Sequence, residues 1–122
     1  MSRARETTTS RGARAEALAA EFLEGLGYRV VTRNFRCQGG EIDLVAWDGP
    51  VLCFIEVRAR ESDEFGTPLE TLDARKLRRV VHAARAYLET LVGPWPEMRF
   101  DAVGILLTEP PRIELVRAAF EA

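Results

Sequence analysis

The sequence predicts a single α/β domain whose mixed β-sheet is flanked by helices, in the order αβββαββ. Three observations predict it. Apolar residues recur at helical spacing in two segments, short β-branched and aromatic runs stand between and after them, and an Asp-Gly pair joins two of those runs as a hairpin. With 122 residues and 47% hydrophobic content, the chain is long enough for one core and too short for two ordinary domains.

In "RGARAEALAAEFLEGLG", Ala15, Leu18, Ala19, Phe22, Leu23 and Leu26 fall on one helical face, and Gly27 is placed as the stop, so a first helix is expected from Ser10 or Arg11. The preceding residues 1–10 read as a disordered arm, leaving 11–122 as the domain. "YRVVTRNFR" predicts a strand from Tyr28 to Phe35, ended by "CQGG". Two more strands follow, Gly40 to Trp47 and Val51 to Ala59, joined through Asp48-Gly49. After the polar loop "RESDEFGTP", Leu72, Leu77, Val80, Val81, Ala84, Tyr87, Leu88 and Leu91 give a long helix from Leu69 or Thr71 to Leu91, stopped by "GPWP". "RFDAVGILL" and "RIELVRAAF", separated by Pro110-Pro111, complete the sheet.

Several function classes are excluded or narrowed. No run approaches the roughly 18 apolar residues of a membrane span, and no signal-peptide core follows the N-terminal arginines, so a soluble cytoplasmic protein is expected. Cys37 and Cys53 lack the spacing of a zinc site or a disulfide scaffold and are expected to be reduced thiols. The net charge of -2 hides an uneven distribution, with Arg75, Lys76, Arg78, Arg79 and Arg85 together on the second helix. Of 17 basic residues only Lys76 is lysine, a chain-wide preference for arginine.

The hairpin carries the chemistry. A two-residue Asp48-Gly49 loop or a four-residue loop from Trp47 to Pro50 would both place residue 46 opposite 51. Ile42, Leu44 and Ala46 would then share an apolar face with Val51, Cys53, Ile55 and Val57. Glu41, Asp43, Glu56 and Arg58 would share the other, with Glu41 opposite Glu56 and Asp43 diagonal to it. Adjacent carboxylates repel, so they require a cation, either Arg58 or a metal. Oxygen-only ligands suit Mg²⁺ or Mn²⁺ rather than Zn²⁺. Spacing alone favours a cross-strand salt-bridge cluster on a solvated face.

"AEALAAEFLEGLGYRVVTRNFR", "GGEIDLVAWDGPVLCFIEVRAR" and "FGTPLETLDARKLRRVVHAARAYL", in that order over residues 12 to 106, resemble the YraN-type uncharacterised bacterial proteins, whose restriction-endonuclease-like fold is similar to that of Holliday-junction resolvases. The resemblance implies a metal-dependent nuclease acting on nucleic acid, DNA in the first instance, with Mg²⁺ or Mn²⁺ as cofactor, and a homodimer. A non-catalytic nucleic-acid-binding module on the same fold is the alternative. Carried over by position, Glu16 is the helix acid, with Glu21 as its rival; Asp43 is the strand acid; Glu56 opens the third motif; and the Val57 carbonyl adds a metal ligand. Arg58 stands where the nuclease pattern has lysine, and arginine orients or stabilises but does not act as a base. Lys76 resembles the lysine the family carries on this helix and, with Arg75 and Arg79, is assigned to phosphate contacts; a solvated helix face is the plain alternative. His82 is expected at the helix surface and Asp101 in an edge-of-sheet salt bridge.

Overall fold

The computed structural model describes residues 8–121. Its order is α1 (Thr8–Gly25), β1 (Arg29–Cys37), β2 (Gly40–Asp48), β3 (Val51–Arg60), α2 (Ala74–Leu88), β4 (Met98–Leu106) and β5 (Arg112–Phe120), with a 3₁₀ turn at Pro68–Thr71. This is the expected αβββαββ order. The five strands form one sheet in sequential order, antiparallel throughout except for the parallel β3/β4 pair that α2 bridges. The disordered arm expected over residues 1–10 lies outside the described residues as far as residue 7; from Thr8 the chain is helical. Among the described residues no helix is long and apolar enough to cross a membrane.

The two helices cover opposite faces. On one, Ala15, Ala19, Ala20 and Leu23 of α1 pack on Leu44, Ala46, Cys53 and Ile55. Alanines at the contact let the helix lie close to the strands. On the other, Val80, Ala83, Ala84 and Leu88 of α2 pack on Ile42, Val45, Leu52 and Phe54. Strand β3, covered on both sides, is accordingly a near-continuous buried run from Leu52 to Glu56. Tyr87 pins α2 to the sheet: its ring meets Phe35 and Phe54 edge-on, at 5.1 and 5.9 Å between centroids, and its hydroxyl lies 3.0 Å from Thr32 Oγ1.

α2 is shorter than its apolar stripe suggests. Leu69 to Thr71 are taken up by the 3₁₀ turn, and Asp73 caps the helix by accepting from the Lys76 backbone N–H at 2.8 Å. At the other end Thr90 and Leu91 form a turn on the Tyr87 and Leu88 carbonyls instead of extending the helix.

The hairpin register also differs from expectation. Asp48 pairs with Val51 and Leu44 with Ile55, two positions from the expected pairing of 46 with 51. The loop is Gly49-Pro50, with Gly49 at a φ of 59°, and glycine at the first loop position suits a tight hairpin turn. A shift of two preserves the faces wherever the ladder continues.

Beyond Leu44↔Ile55 no further pairing of β2 with β3 occurs, and alternation fails there. Ile42 joins Val45 in the core beneath α2 instead of sharing the face of Leu44 and Ala46. Its partner on β1 is Phe35, also in the α2-side core, directly after Asn34 at a φ of 54°. The left-handed residue, a conformation asparagine tolerates better than most, turns this end of the β1/β2 ribbon. The four hairpin charges therefore do not lie in one flat row.

Candidate functional site

Where β2 leaves β3, the Val57 N–H loses its ladder partner and donates instead to Asp43 Oδ2 at 2.8 Å. One side chain thus satisfies the backbone at the point where the strands separate, and its carboxylate occupies the gap. Glu56 stands at the same gap with 1% of its surface exposed. A cleft of about 500 Å³ opens here, lined by Glu16 from α1, Asp43, Glu56, Arg58, Thr71 and Lys76 among others. The structure therefore draws the predicted residues together from both helical layers.

Glu56 is the least comfortable group in it. Its Oε1 lies 3.6 Å from Lys76 Nζ and 3.8 Å from Arg58 Nη1, both longer than a hydrogen bond, and its buried Oε2 has no hydrogen-bond partner. Burial, then the charge of Asp43, push its carboxyl up to about 8 despite those two cations. Burial likewise raises Asp43, outweighing the Val57 N–H and the charge of Lys76. Two carboxylates held this close need a shared proton or a cation between them.

Glu16 reaches the same place from the α1 side. Burial raises its carboxyl, a hydrogen bond with Asn34 opposes that, and the charge of Asp43 raises it further. Glu21, its rival, is exposed and lines a separate groove with Leu26 and Pro111. Of the two, Glu16 is therefore the acid of α1 that lines the cleft.

Arg58 does not point freely at the opening. Its Nε donates to Thr71 Oγ1 at 2.7 Å and its Nη2 to the Thr71 carbonyl at 3.1 Å, so the 3₁₀ turn holds the guanidinium. The single lysine takes the place left open: Lys76 donates to Glu41 Oε1 at 2.8 Å while standing beside Glu56. Burial pulls its ammonium down, but the hydrogen bond to Glu41 and the charges of Glu56, Glu41 and Asp43 more than offset this, so Lys76 stays protonated. Lys76 is fixed there because α2 crosses β2 at Gly40, where a side chain would run into the Arg79 carbonyl and Ala83.

The remaining assignments divide. Arg79 borders the site through the charge of Glu41, whereas Arg75 is exposed and outside the cleft lining. His82 is at the surface, its Nε2 3.0 Å from the Gln38 carbonyl. Asp101 is not at an edge. It sits on β4 between β3 and β5, fully buried and outside the cleft lining, receiving hydrogen bonds from Arg99, Tyr28 and the Ala118 N–H. Thr71 and Asn34 are site residues the sequence reading missed. A left-handed asparagine inside a strand pattern is the only local signal either offered.

Whether a divalent ion fits can be judged from the donors. Among the described residues no three His, Cys, Asp or Glu side chains gather into a closed metal cage. Asp43 and Glu56 supply two carboxylates, one with an orphaned buried oxygen. A residue's C=O points to the same strand edge as its N–H, so the Val57 carbonyl faces the same gap. Mg²⁺ commonly takes one or two carboxylates and keeps several waters, and this donor set fits it.

The chain's relatives share most of its length. A family model described as "Uncharacterised protein family UPF0102" matches residues 15–105. A UPF0102 protein of Chlorobium limicola is 48% identical over 97 residues, covering 80% of this chain and 75% of its own. Those of Dechloromonas aromatica and Nocardia farcinica are 47% and 41% identical, with 98% and 89% of this chain and 96% and 87% of theirs covered. On a match that spans the cleft residues from Glu16 to Lys76, the chain belongs to the UPF0102 family, whose members the quoted sequence blocks resemble.

Proposed function

We propose that the protein is a metal-dependent nuclease-like enzyme that binds nucleic acid, DNA in the first instance, and hydrolyses phosphodiester bonds. The observation that carries this reading is the pair Asp43 and Glu56 in the gap between β2 and β3, with Glu56 Oε2 buried and without a donor. Asp43, Glu56 and the Val57 carbonyl would hold Mg²⁺ or Mn²⁺, which when bound supplies Lewis-acid polarisation of a phosphodiester and activation of water. The protein's own groups then divide the remaining work. Arg58, held by Thr71, and Lys76, set on the first turn of α2 by the Asp73 cap, present positive charge to the phosphate. Glu16, half-buried on the α1 side with a raised affinity for a proton, is placed to orient a water. Arg79 extends the phosphate contacts along α2, and exposed Arg75 contributes general attraction.

Arg58 favours a second reading, a non-catalytic nucleic-acid-binding module on the same fold, because a permanently charged residue replaces one that can lose its proton. A cytoplasmic homodimer belongs to both readings. Calorimetric titration with Mg²⁺ or Mn²⁺, comparing the wild type with Asp43→Ala and Glu56→Ala, separates them. Binding in the wild type that both variants lose supports the enzyme, provided cleavage of plasmid DNA in Mg²⁺ disappears in Asp43→Ala. DNA binding that ignores the metal and falls steeply with salt supports the module; cleavage that survives Asp43→Ala refutes the enzyme.

A further inference from the structure

Of the hairpin's acids beside the cleft, Glu41 is the one that the proposed metal chemistry does not use. It lies at the rim of the cleft with 30% of its side chain exposed, and cations from two elements converge on it. Lys76 of α2 donates to Oε1 at 2.8 Å, and Arg36 Nε of β1 lies 4.0 Å from Oε2. Arg79, one turn along α2 from Lys76, adds its charge to the same carboxylate. A single half-exposed carboxylate thus stands where three cations meet, beside the carboxylate pair that a cation would bridge.

We infer that Lys76, Arg79 and Arg36 form a subsite for a nucleic-acid phosphate and that the Glu41 carboxylate fills it when substrate is absent, to be displaced by the phosphate. The inference rests on the nucleic-acid reading above and deepens it. Three features support displacement over permanent pairing. Lys76 has three donors and Glu41 takes one, so the ammonium keeps its place beside Glu56 Oε1 at 3.6 Å when Glu41 leaves. Arg36 is 75% exposed and follows an incoming phosphate at little cost. A phosphate offers more acceptor oxygens than a carboxylate and matches arginine's forked donors. Glu41 in this role keeps the cations arranged and keeps Lys76 from pairing fully with Glu56.

The test is a double-mutant cycle on binding of a short DNA duplex in EDTA, measured by fluorescence anisotropy, with Glu89→Gln as the charge-matched control on the exposed end of α2. Glu41→Gln should tighten binding roughly two- to tenfold, the scale of one part-exposed ion pair, and Glu89→Gln should do distinctly less. Lys76→Met should cost more affinity in the Glu41→Gln background than in the wild type, because there it removes an uncontested phosphate donor. If Lys76→Met costs less in that background, or Glu41→Gln weakens binding, Glu41 positions Lys76 instead of holding its place, and the inference is overturned. Equal tightening by Glu89→Gln overturns it too. If Glu41→Gln fails to fold, Arg79→Gln in the wild type decides, since unchanged affinity there removes the subsite. Failure of the enzyme reading shows separately, in the metal titrations of Asp43→Ala and Glu56→Ala; absence of DNA binding in every variant defeats the inference and the nucleic-acid reading together.

Discussion

Replacing Glu56 by glutamine tests the discomfort of this residue directly. Glutamine keeps the shape and removes a charge that is 1% exposed and whose two nearest cations stand at 3.6 and 3.8 Å. Two effects oppose each other. Attraction to Lys76 and Arg58 favours the ionised carboxylate; burial and the charge of Asp43 disfavour it. The raised affinity for a proton, to about 8 from an ordinary 4.5, says that burial and Asp43 win. Between those two values the folded chain holds a proton that the unfolded chain has released, so stability falls as pH rises through the window. An unsatisfied buried polar group costs about 1–3 kcal/mol, and Glu56→Gln should recover about that much in metal-free buffer near pH 8. For a domain of this size that is a rise in Tm of roughly 3–6 °C per kcal/mol. The gap should narrow towards pH 5, where the wild-type carboxyl carries its own proton. Saturating Mg²⁺ should then reverse the order, since a ligand at 100 times its Kd adds about 2.7 kcal/mol to the wild type alone. Thermal unfolding followed by circular dichroism, with and without Mg²⁺ at both pH values, reads all of this. A Glu56→Gln protein clearly less stable than the wild type near pH 8 without metal would refute the reasoning, because it would mean that Lys76 and Arg58 already satisfy the carboxylate.

Two further predictions concern the scaffold. Asp101→Ala removes the shared acceptor of Arg99, Tyr28 and the Ala118 N–H, leaving Arg99 its pairing with Asp48, and should lower stability by about 1–3 kcal/mol in urea denaturation; a loss under about 0.5 kcal/mol would show the network to be dispensable. Burial pushes the Asp101 carboxyl up, but the hydrogen bonds from Arg99, Ala118 and Tyr28 bring it below its ordinary value, so its contribution holds above the unfolded-state value and is lost as pH falls through the folded one. Gly40→Ala drives a methyl group into the Arg79 carbonyl and within 3.0 Å of the Ala83 nitrogen, backbone that moves only with the helix. It should cost about 1–3 kcal/mol and weaken DNA binding by shifting Lys76; an unchanged urea midpoint would mean α2 yields freely.

Much of the fold was legible because its signals are local. The alternation of β2 and β3 survives a two-residue error in register, since side chains repeat every two residues; Leu44, Ala46, Cys53 and Ile55 fall together either way. The register itself turned on which residue occupies the first loop position, and Gly49-Pro50 satisfied the turn where Asp48-Gly49 was expected. Ile42 went astray because its orientation is set across the sheet, next to the left-handed Asn34 on another strand. Asp101 was illegible for a related reason: its partners Tyr28 and Ala118 lie 73 and 17 residues away in sequence, and only the assembled sheet brings them together. Within the site, the resemblance alone singled out Glu16 over Glu21, since both are acids on the same helix and periodicity does not separate them; the docked α1 shows that Glu16 is the one lining the cleft.

Arginine at position 58 beside lysine at position 76 becomes intelligible in physical terms. A lysine two residues after Glu56 on β3 would reach the gap along its own strand. Arginine there is longer and carries five donors in a fixed fork, more than the gap can accept, and the 3₁₀ turn absorbs them: Thr71 takes two of its N–H groups through Oγ1 and the backbone carbonyl. Its charge is thereby fixed 3.8 Å from Glu56 without closing on it. The compact ammonium that the gap does accommodate arrives from the other direction, on the first turn of α2, placed by the Asp73 cap and the close crossing at Gly40, with one of its donors taken by Glu41. Such an ammonium, beside three carboxylates, keeps its proton and serves as fixed charge, so under the nuclease reading proposed above, with Asp43 and Glu56 holding the metal, the handling of a proton would fall to Glu16, whose proton affinity burial and the charge of Asp43 raise.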